Sequence, residues 1–349
     1  MRLVQALRRW RQPSSVTATI VGIVLVGTGG GGTGSWQRVD KDGNALTTSP
    51  AFFNAHPTYA GIVGETIDSQ FMVKIPAFYV KAGVVASGVY AGKRVWWVSD
   101  LPSEGFILHP AFMSQGTQIN NFWIGKYQAS TSDSKLGSVP GVLPAAGLSL
   151  DVAKSLAAAR NVAGLSGFRA WDYLQLSAMQ ILIVIEVGGA DSKTLVGPSN
   201  LENQPQVVDS AAMLTSTWRG IVGLWGNQWA HVDGIRSNSS NLFEVWDSSG
   251  NQSFVTTSQA AYSGSGRYPN AFSSASGSSY DLSIGFFASG TTSNSTLGVT
   301  GDCSQNGAAS SGYRVGGRDS VPQGLFHMYG YAISSSYAGQ DTGSRLSKI

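Results

Sequence analysis

The stretch that decides the fold is Gly220-Ile221-Val222-Gly223-Leu224-Trp225-Gly226-Asn227-Gln228-Trp229-Ala230-His231-Val232-Asp233-Gly234. Two tryptophans stand four residues apart, an asparagine follows a glycine, and apolar residues flank both sides. The pattern predicts a short buried strand that turns sharply and enters a second strand. Glycine permits the close backbone approach at the turn, and the indoles supply a large apolar payload for a core. Two later segments carry related glycine and arginine patterns. They are Tyr313-Arg314-Val315-Gly316-Gly317-Arg318 and Gly343-Ser344-Arg345-Leu346.

These three islands resemble the signature of the C-type lectin-like fold in its formylglycine-generating-enzyme branch. There a Gly-Asn-x-Trp segment, an Arg-Gly-Gly segment and a terminal Gly-x-Arg-Leu strand build the central sheet. The resemblance implies an α+β fold of twisted antiparallel sheets flanked by two helices, with long loops. It makes Trp225, Asn227, Trp229, Gly316, Gly317 and Arg345 the structural framework. Three earlier segments also resemble the lectin-like domains of phage tail proteins: Lys74-Ile75-Pro76-Ala77-Phe78-Tyr79, Gly105-Phe106-Ile107-Leu108-His109-Pro110-Ala111-Phe112 and Ile124-Gly125-Lys126-Tyr127. A fourth, residues 159–169, has the Ala-Arg-Asn-x-x-Gly-x-x-Gly-Phe-Arg phrase that introduces the second helix of the fold. The likeness covers most of residues 36–349. The same scaffold serves as a receptor-binding domain in phage tail proteins and in the variable proteins of diversity-generating retroelements.

Composition agrees with a loop-rich, strand-rich, weakly charged protein. Of 349 residues, 12% are charged and 10% aromatic, and 44 are glycine; disorder would need fewer aromatics and more charge. The net charge is +3, but the first 34 residues hold Arg2, Arg8, Arg9 and Arg11 with no acid, which leaves −1 for the rest. Nucleic-acid binding through a basic face has no support in such a body. The single cysteine, Cys303, excludes an intramolecular disulfide framework and a multi-cysteine metal site. It also argues against the formylglycine-generating chemistry, which the resemblance ties to a pair of active-site cysteines.

Residues 1–15 are basic, residues 16–26 form a β-branched apolar run, and residues 27–34 are glycine-rich. Two readings stand side by side. One is a β-rich assembly anchor joined to the body by a flexible glycine hinge. The other is a secretory or membrane-targeting signal, although eleven apolar residues fall short of the roughly 20 a membrane helix needs. The division expected is an anchor and hinge over residues 1–34 and a receptor-binding domain over residues 35–349.

Within the body, Asp42-Gly43 predicts a hairpin turn, and residues 71–80, 93–98 and 122–127 read as strands. A helix is expected after the N-cap Ser149, through residues 152–160. A second is expected over about residues 170–187, with an apolar stripe against a sheet and Gly188-Gly189 as its stop.

The four histidines, His56, His109, His231 and His327, form no His-x-x-x-His or His-Glu-x-x-His pair, so no metal site is predicted. His109 reads as a core residue. His231 and Asp233 share one face of a strand, but no Gly-x-Ser-x-Gly elbow supplies a nucleophile. There is no phosphate loop or dinucleotide fingerprint, and no cofactor is expected. The expectation is a binding protein without catalysis.

The resemblance places solvent-facing binding residues in the C-terminal segment between Arg318 and Ser344. The candidates are Tyr313, Arg318, His327, Tyr329, Tyr331, Ser335 and Tyr337. Rings and hydroxyls of this kind suit glycans, stacking on the apolar sugar face and bonding its hydroxyls. The Ser/Gly/Asn/Thr-rich residues 237–306, with Tyr262, Tyr268 and Tyr280, are the alternative contact surface. The implied partners are a host cell-surface glycan or protein receptor and, through residues 1–34, other tail proteins. The implied assembly is a homotrimer in the virion. A secreted or cell-surface lectin-like protein is the competing reading.

Overall fold

Ile221–Val222 and Trp229–Ser237 are the two strands of the decisive stretch, and every residue from 221 to 235 is buried. They belong to a computed structural model that describes residues 17–28, 34–200, 204–261, 264–306, 309–317, 323–330 and 334–349. The protein is a mostly-sheet α+β structure with six α-helices among the described residues and several antiparallel sheets. Between the two strands the chain turns through Gly226 and Asn227, both left-handed, at φ +78° and +66°. Asparagine is the side chain best suited to that conformation after glycine.

Asn227 also explains why this turn is rigid. Its Oδ1 accepts from Asn200 Nδ2 (2.8 Å) and the Gln206 amide (2.7 Å), while its Nδ2 donates to Gln128 Oε1 (2.9 Å) and the Gln206 carbonyl (3.0 Å). All four bonds are buried or partly buried. Asn227→Asp is therefore expected to destabilise by about 3 kcal/mol despite equal size, because it sets a carboxylate oxygen against two acceptors. Urea unfolding with an unchanged midpoint would refute this role.

The three glycine–arginine islands meet in space. Trp229–Ser237 pairs antiparallel with Gly312–Val315 and parallel with Thr342–Gly343. Together they form the middle of a nine-stranded sheet that continues through Leu242–Trp246 and Phe254–Ala260 on one side. On the other side lie Met328–Tyr329, Ser304–Asn306, Gly264–Phe272 and Ala288–Thr292. The C-terminal strand Leu346–Lys348 enters a second sheet, in the order Phe168–Ala170, Leu346–Lys348, Asn121–Gly125, Gln70–Pro76, Val63–Ile67. The stretch expected as one strand over residues 71–80 is split. Gln70–Pro76 lies in this second sheet and Tyr79–Val84 in a third.

That third sheet corrects the boundary expected at residue 34. Its order is Ser35–Val39, Ile20–Gly27, Arg94–Ser99, Tyr79–Val84, Ile107–Leu108. Ile20–Gly27 is thus an interior strand, paired on both sides. Val21 and Ile23 face the main core and Val24 a second cluster, so both faces are covered. A continuous β-branched run is what a doubly buried strand requires. Gly22 lies under the Trp97 indole, where a Cβ would collide with the ring. Residues 1–16, the basic part of the proposed anchor, lie outside the described residues. No helix among the described residues is long and apolar enough to cross a membrane.

Both expected helices are present. Leu150–Ala158 starts at the Ser149 N-cap, whose hydroxyl accepts from the Val152 amide (3.2 Å). Tyr173–Val187 starts three residues later than expected because Phe168–Ala170 is taken by the second sheet. Asp172 and Gln175 close a capping box at its start, and Gly188, at φ +82°, ends it. The expected single apolar stripe is corrected. Every residue from Tyr173 to Ile185 is buried, so the helix runs inside the core rather than on a sheet surface. Tyr59 donates to the Leu182 carbonyl (3.0 Å), and Arg38 binds the last carbonyls, Ile185 (2.8 Å) and Glu186 (2.5 Å). The Asp42-Gly43 turn also forms, with Asp40 Oδ1 accepting from the amides of Asp42 and Asn44 at 2.9 Å.

Candidate functional site

A cleft of about 620 Å³ opens over the middle of the nine-stranded sheet. Its floor is the Trp229–Ser237 strand, which presents His231, Asp233 and Ile235, together with Tyr313 from the neighbouring strand. One wall is the first turn and a half of helix Leu150–Ala158, with Asp151 and Lys154. The other wall is the hairpin from Arg236 to Glu244 with Phe254 behind it. Ser310, Ser311, Ser334 and Ser335 complete the rim. The strand period of two puts His231 and Asp233 on one face, and the register shift between Val232 and Arg236 then turns Arg236 toward the cleft while Ile235 joins the core.

The charges are placed in pairs across the walls. Lys154 Nζ bridges to Asp233 Oδ2 at 2.8 Å, tying the helix to the floor. Arg236 and Glu244 sit opposite each other in the strand register and pair at 2.6 Å. The Arg236 guanidinium lies 4.0 Å from the centre of the Phe254 ring. His231 Nε2 is 3.0 Å from the Tyr337 carbonyl, and Ser335 accepts from the Asp151 amide (3.2 Å). The 334–337 segment is therefore held to the cleft edge by backbone contacts.

The expected binding residues divide. Ser335 is exposed on the rim, as a contact residue must be. Tyr313 and His327 are not solvent-facing, which corrects that expectation. Tyr313 is 1% exposed, its ring packed on Phe243 (5.6 Å), and it contributes to the cleft floor from inside the sheet. His327 is also 1% exposed, stacked on Trp229 (4.9 Å) with Nδ1 3.5 Å from Cys303 Sγ. The reasons differ: Tyr313 shares the core face with Val232 in the strand register, whereas His327 lies just before the strand Met328–Tyr329 and is covered by packing on the Trp229 ring. Tyr329 and Tyr337 are half-buried, and with Trp229 they surround the Arg314 guanidinium at 4.6, 5.2 and 4.8 Å. Arg314 also bonds Thr342 Oγ1 (2.5 Å) and Asp341 Oδ1 (3.2 Å), so these rings already hold an internal cation. Arg318 and Tyr331 lie outside the described residues, as does Tyr262. Tyr268 and Tyr280 are half-buried, and the Tyr280 hydroxyl accepts from the Ser258 amide (3.1 Å).

The framework residues Trp225, Asn227, Trp229 and Arg345 are all buried, and Gly316 packs against the Leu224–Trp225 backbone at φ +90°. Sequence reasoning missed Asp151, Lys154, Arg236, Glu244, Phe254 and Arg314. The Arg236–Glu244 pair had a readable signal, since a turn through Ser237-Asn238-Ser239-Ser240-Asn241 sets those two residues opposite each other. The Lys154–Asp233 pair had none, because 79 residues of chain separate its halves.

Burial sets the chemistry of the remaining titratable groups. It pushes the Cys303 thiol up to about 11 and the His109, His231 and His327 imidazoles down to about 3, 4 and 3. At neutral pH the cysteine is a thiol and these rings carry no charge. Burial raises the Asp302 carboxyl to about 7 against the amide of Phe326 and the hydroxyl of Ser192. Among the described residues no three His, Cys, Asp or Glu side chains gather as a metal ion would need.

A pH dependence follows. The folded-state histidine values lie below the unfolded value near 6.5, so their contribution to stability is full above that pH. It is lost as pH falls toward 4 and 3. Asp302 acts in the opposite sense, contributing stability below about 4 that is lost as pH rises toward 7. The histidines act together against the aspartate, so stability is expected to fall with pH through this window. The melting temperature is expected to drop steadily from pH 6.5 to pH 4. A flat profile across that window would show that the rings are accessible.

No protein-family model matches this chain, and no curated protein sequence matches it.

Proposed function

We propose that this chain is a non-catalytic receptor-binding protein of a phage tail, built on a C-type lectin-like scaffold, and that it holds a host-surface glycan in the 620 Å³ cleft. The observation that carries the reading is the lining of that cleft. Hydroxyls from three rim serines, the Asn238 amide, two ion pairs and the Phe254–Arg236 stack stand together on a sheet whose other face is core. Polar groups that can each donate or accept, beside an aromatic edge, suit a ligand with many hydroxyls and little apolar surface. The floor is rigid, because it is the Trp229–Ser237 strand, paired on its two sides with Leu242–Trp246 and Gly312–Val315. The rim comes from loops, where contact residues are ordinarily carried.

The reading also supplies the assembly. A homotrimer in the virion, joined to other tail proteins through the N-terminal residues, would multiply a weak single-site affinity through avidity.

The test is binding of the full chain to purified host surface polysaccharide by calorimetry, and competition by the same protein against infection. Ser335→Trp fills the rim from an exposed position. It is expected to weaken binding at least tenfold and to shift the melting temperature by less than a few degrees. A full chain that neither binds the host surface nor blocks infection would end the proposal. Undiminished binding by Ser335→Trp would move the site elsewhere on the protein.

A further inference from the structure

The charges of the cleft do not balance. Three carboxylates line it, Asp151, Asp233 and Glu244, against two cations, Lys154 and Arg236. Each cation is already committed, Lys154 to Asp233 at 2.8 Å and Arg236 to Glu244 at 2.6 Å. Asp151 is exposed, in the first turn of its helix, and forms no ion pair among the described residues. His231 on the floor stays neutral at physiological pH and adds no positive charge. Arg314, opposite His231 in the strand register, is spent on Asp341 and on three aromatic rings. The cleft therefore presents one carboxylate without a partner, beside hydroxyls.

A second feature points to a ligand independently of charge. Ser311 is fully buried in the cleft wall, and its hydroxyl has no hydrogen-bond partner among the described residues. The backbone around it is satisfied, with its amide donating to Ser237 Oγ (3.1 Å) and its carbonyl accepting from the Ser237 amide (2.8 Å). Buried hydroxyls are ordinarily bonded, and an orphan beside an open cleft is completed by what enters it.

Resting on the saccharide reading of this site, we infer that the cleft selects a glycan bearing a free, protonated amine, and that Asp151 is the counter-charge that recognises it. An ammonium near Asp151 forms a charge-assisted hydrogen bond without breaking either existing ion pair. An acidic glycan meets an excess of carboxylates and must displace Asp233 or Glu244 from its cation to bind. A neutral glycan gains only the hydroxyl contacts. The selection is thus amine over neutral over acidic.

The experiment uses the full chain and a panel of short oligosaccharides of several backbones, each in free-amine, N-acetylated and uronate forms, titrated below the pKa of the amine. The free-amine form is expected to bind about tenfold more tightly than its N-acetylated counterpart, with the uronate weakest. Asp151→Asn is expected to bring the free-amine affinity down to that of the N-acetylated form, and Asp151→Glu to restore part of the difference. A preference for the neutral or acidic form, or an amine preference that survives Asp151→Asn, overturns this inference and leaves the saccharide reading standing. Absence of binding by every member of the panel overturns both.

Discussion

A chain shortened to begin at residue 35 is expected not to fold. The cut falls where composition suggests a hinge, yet it removes Ile20–Gly27 from the middle of a five-stranded sheet. Three fully buried side chains leave with it, Val21, Ile23 and Val24. At roughly 2 kcal/mol each, their burial alone amounts to about 6 kcal/mol. The pairings with Ser35–Val39 and Arg94–Ser99 are lost as well, which strands backbone groups of both neighbours. Trp96 and Trp97, opposite Ile23 and Gly22, would be uncovered on an open edge. Since whole-domain stability is typically 5–15 kcal/mol, the remainder falls below the threshold. The expected result is insoluble protein or a product without a cooperative thermal transition, beside a full chain that has one. Ile23→Asp tests the same strand without a deletion, and a soluble, cooperatively folding variant there would refute the account.

The sequence was most legible where one residue type had one physical use. Glycine at a left-handed turn, tryptophan in a core, Ser149 before an Ala-rich helix and Gly188 after an apolar one all occupy the expected places. Periodicity was less informative for residues 173–187, because a helix apolar on nearly every side has no stripe to read. The N-terminal run illustrates a different limit. Its β-branched character was visible, but only the pairing with Arg94–Ser99, some 70 residues away, distinguishes a core strand from an appended anchor. The candidate site divides in the same way. Ser335 lies exposed at the cleft rim, as a serine in a polar loop does by default. Tyr313 was misplaced because an aromatic residue in a strand can face either side, and register decides which. His327 precedes its strand, and only tertiary packing on Trp229 shows that it is covered. The acid–base pairs of the cleft join segments remote in sequence, which local pattern does not reveal.

Arg345→Met is expected to destabilise by roughly 5 kcal/mol. The guanidinium is 1% exposed and has no carboxylate partner among the described residues. It is held by backbone carbonyls alone: Gly125 (2.7 Å), Lys126 (3.3 Å), Val222 (2.9 Å) and Gly223. Those carbonyls belong to the C-terminal end of Asn121–Gly125 and to the turn after Ile221–Val222, so one side chain fastens two distant segments. Burial pushes its pKa down to about 9, which still leaves it charged at neutral pH. Two opposing quantities decide the outcome. Methionine spares the cost of burying a cation, worth several kcal/mol. It also leaves the Gly125, Val222 and Gly223 carbonyls without the guanidinium donor, at about 1–3 kcal/mol each, while the Lys126 carbonyl keeps the Val222 amide. The carbonyls prevail, because the backbone cannot withdraw to water while both strands remain paired. Lysine keeps the charge but replaces a planar five-donor fork with three donors on one atom, and is expected to lose about half as much. Urea unfolding of the three proteins orders them Arg, Lys, Met. A methionine variant as stable as the parent would mean that these carbonyls find other donors and that the two segments hold together without the arginine.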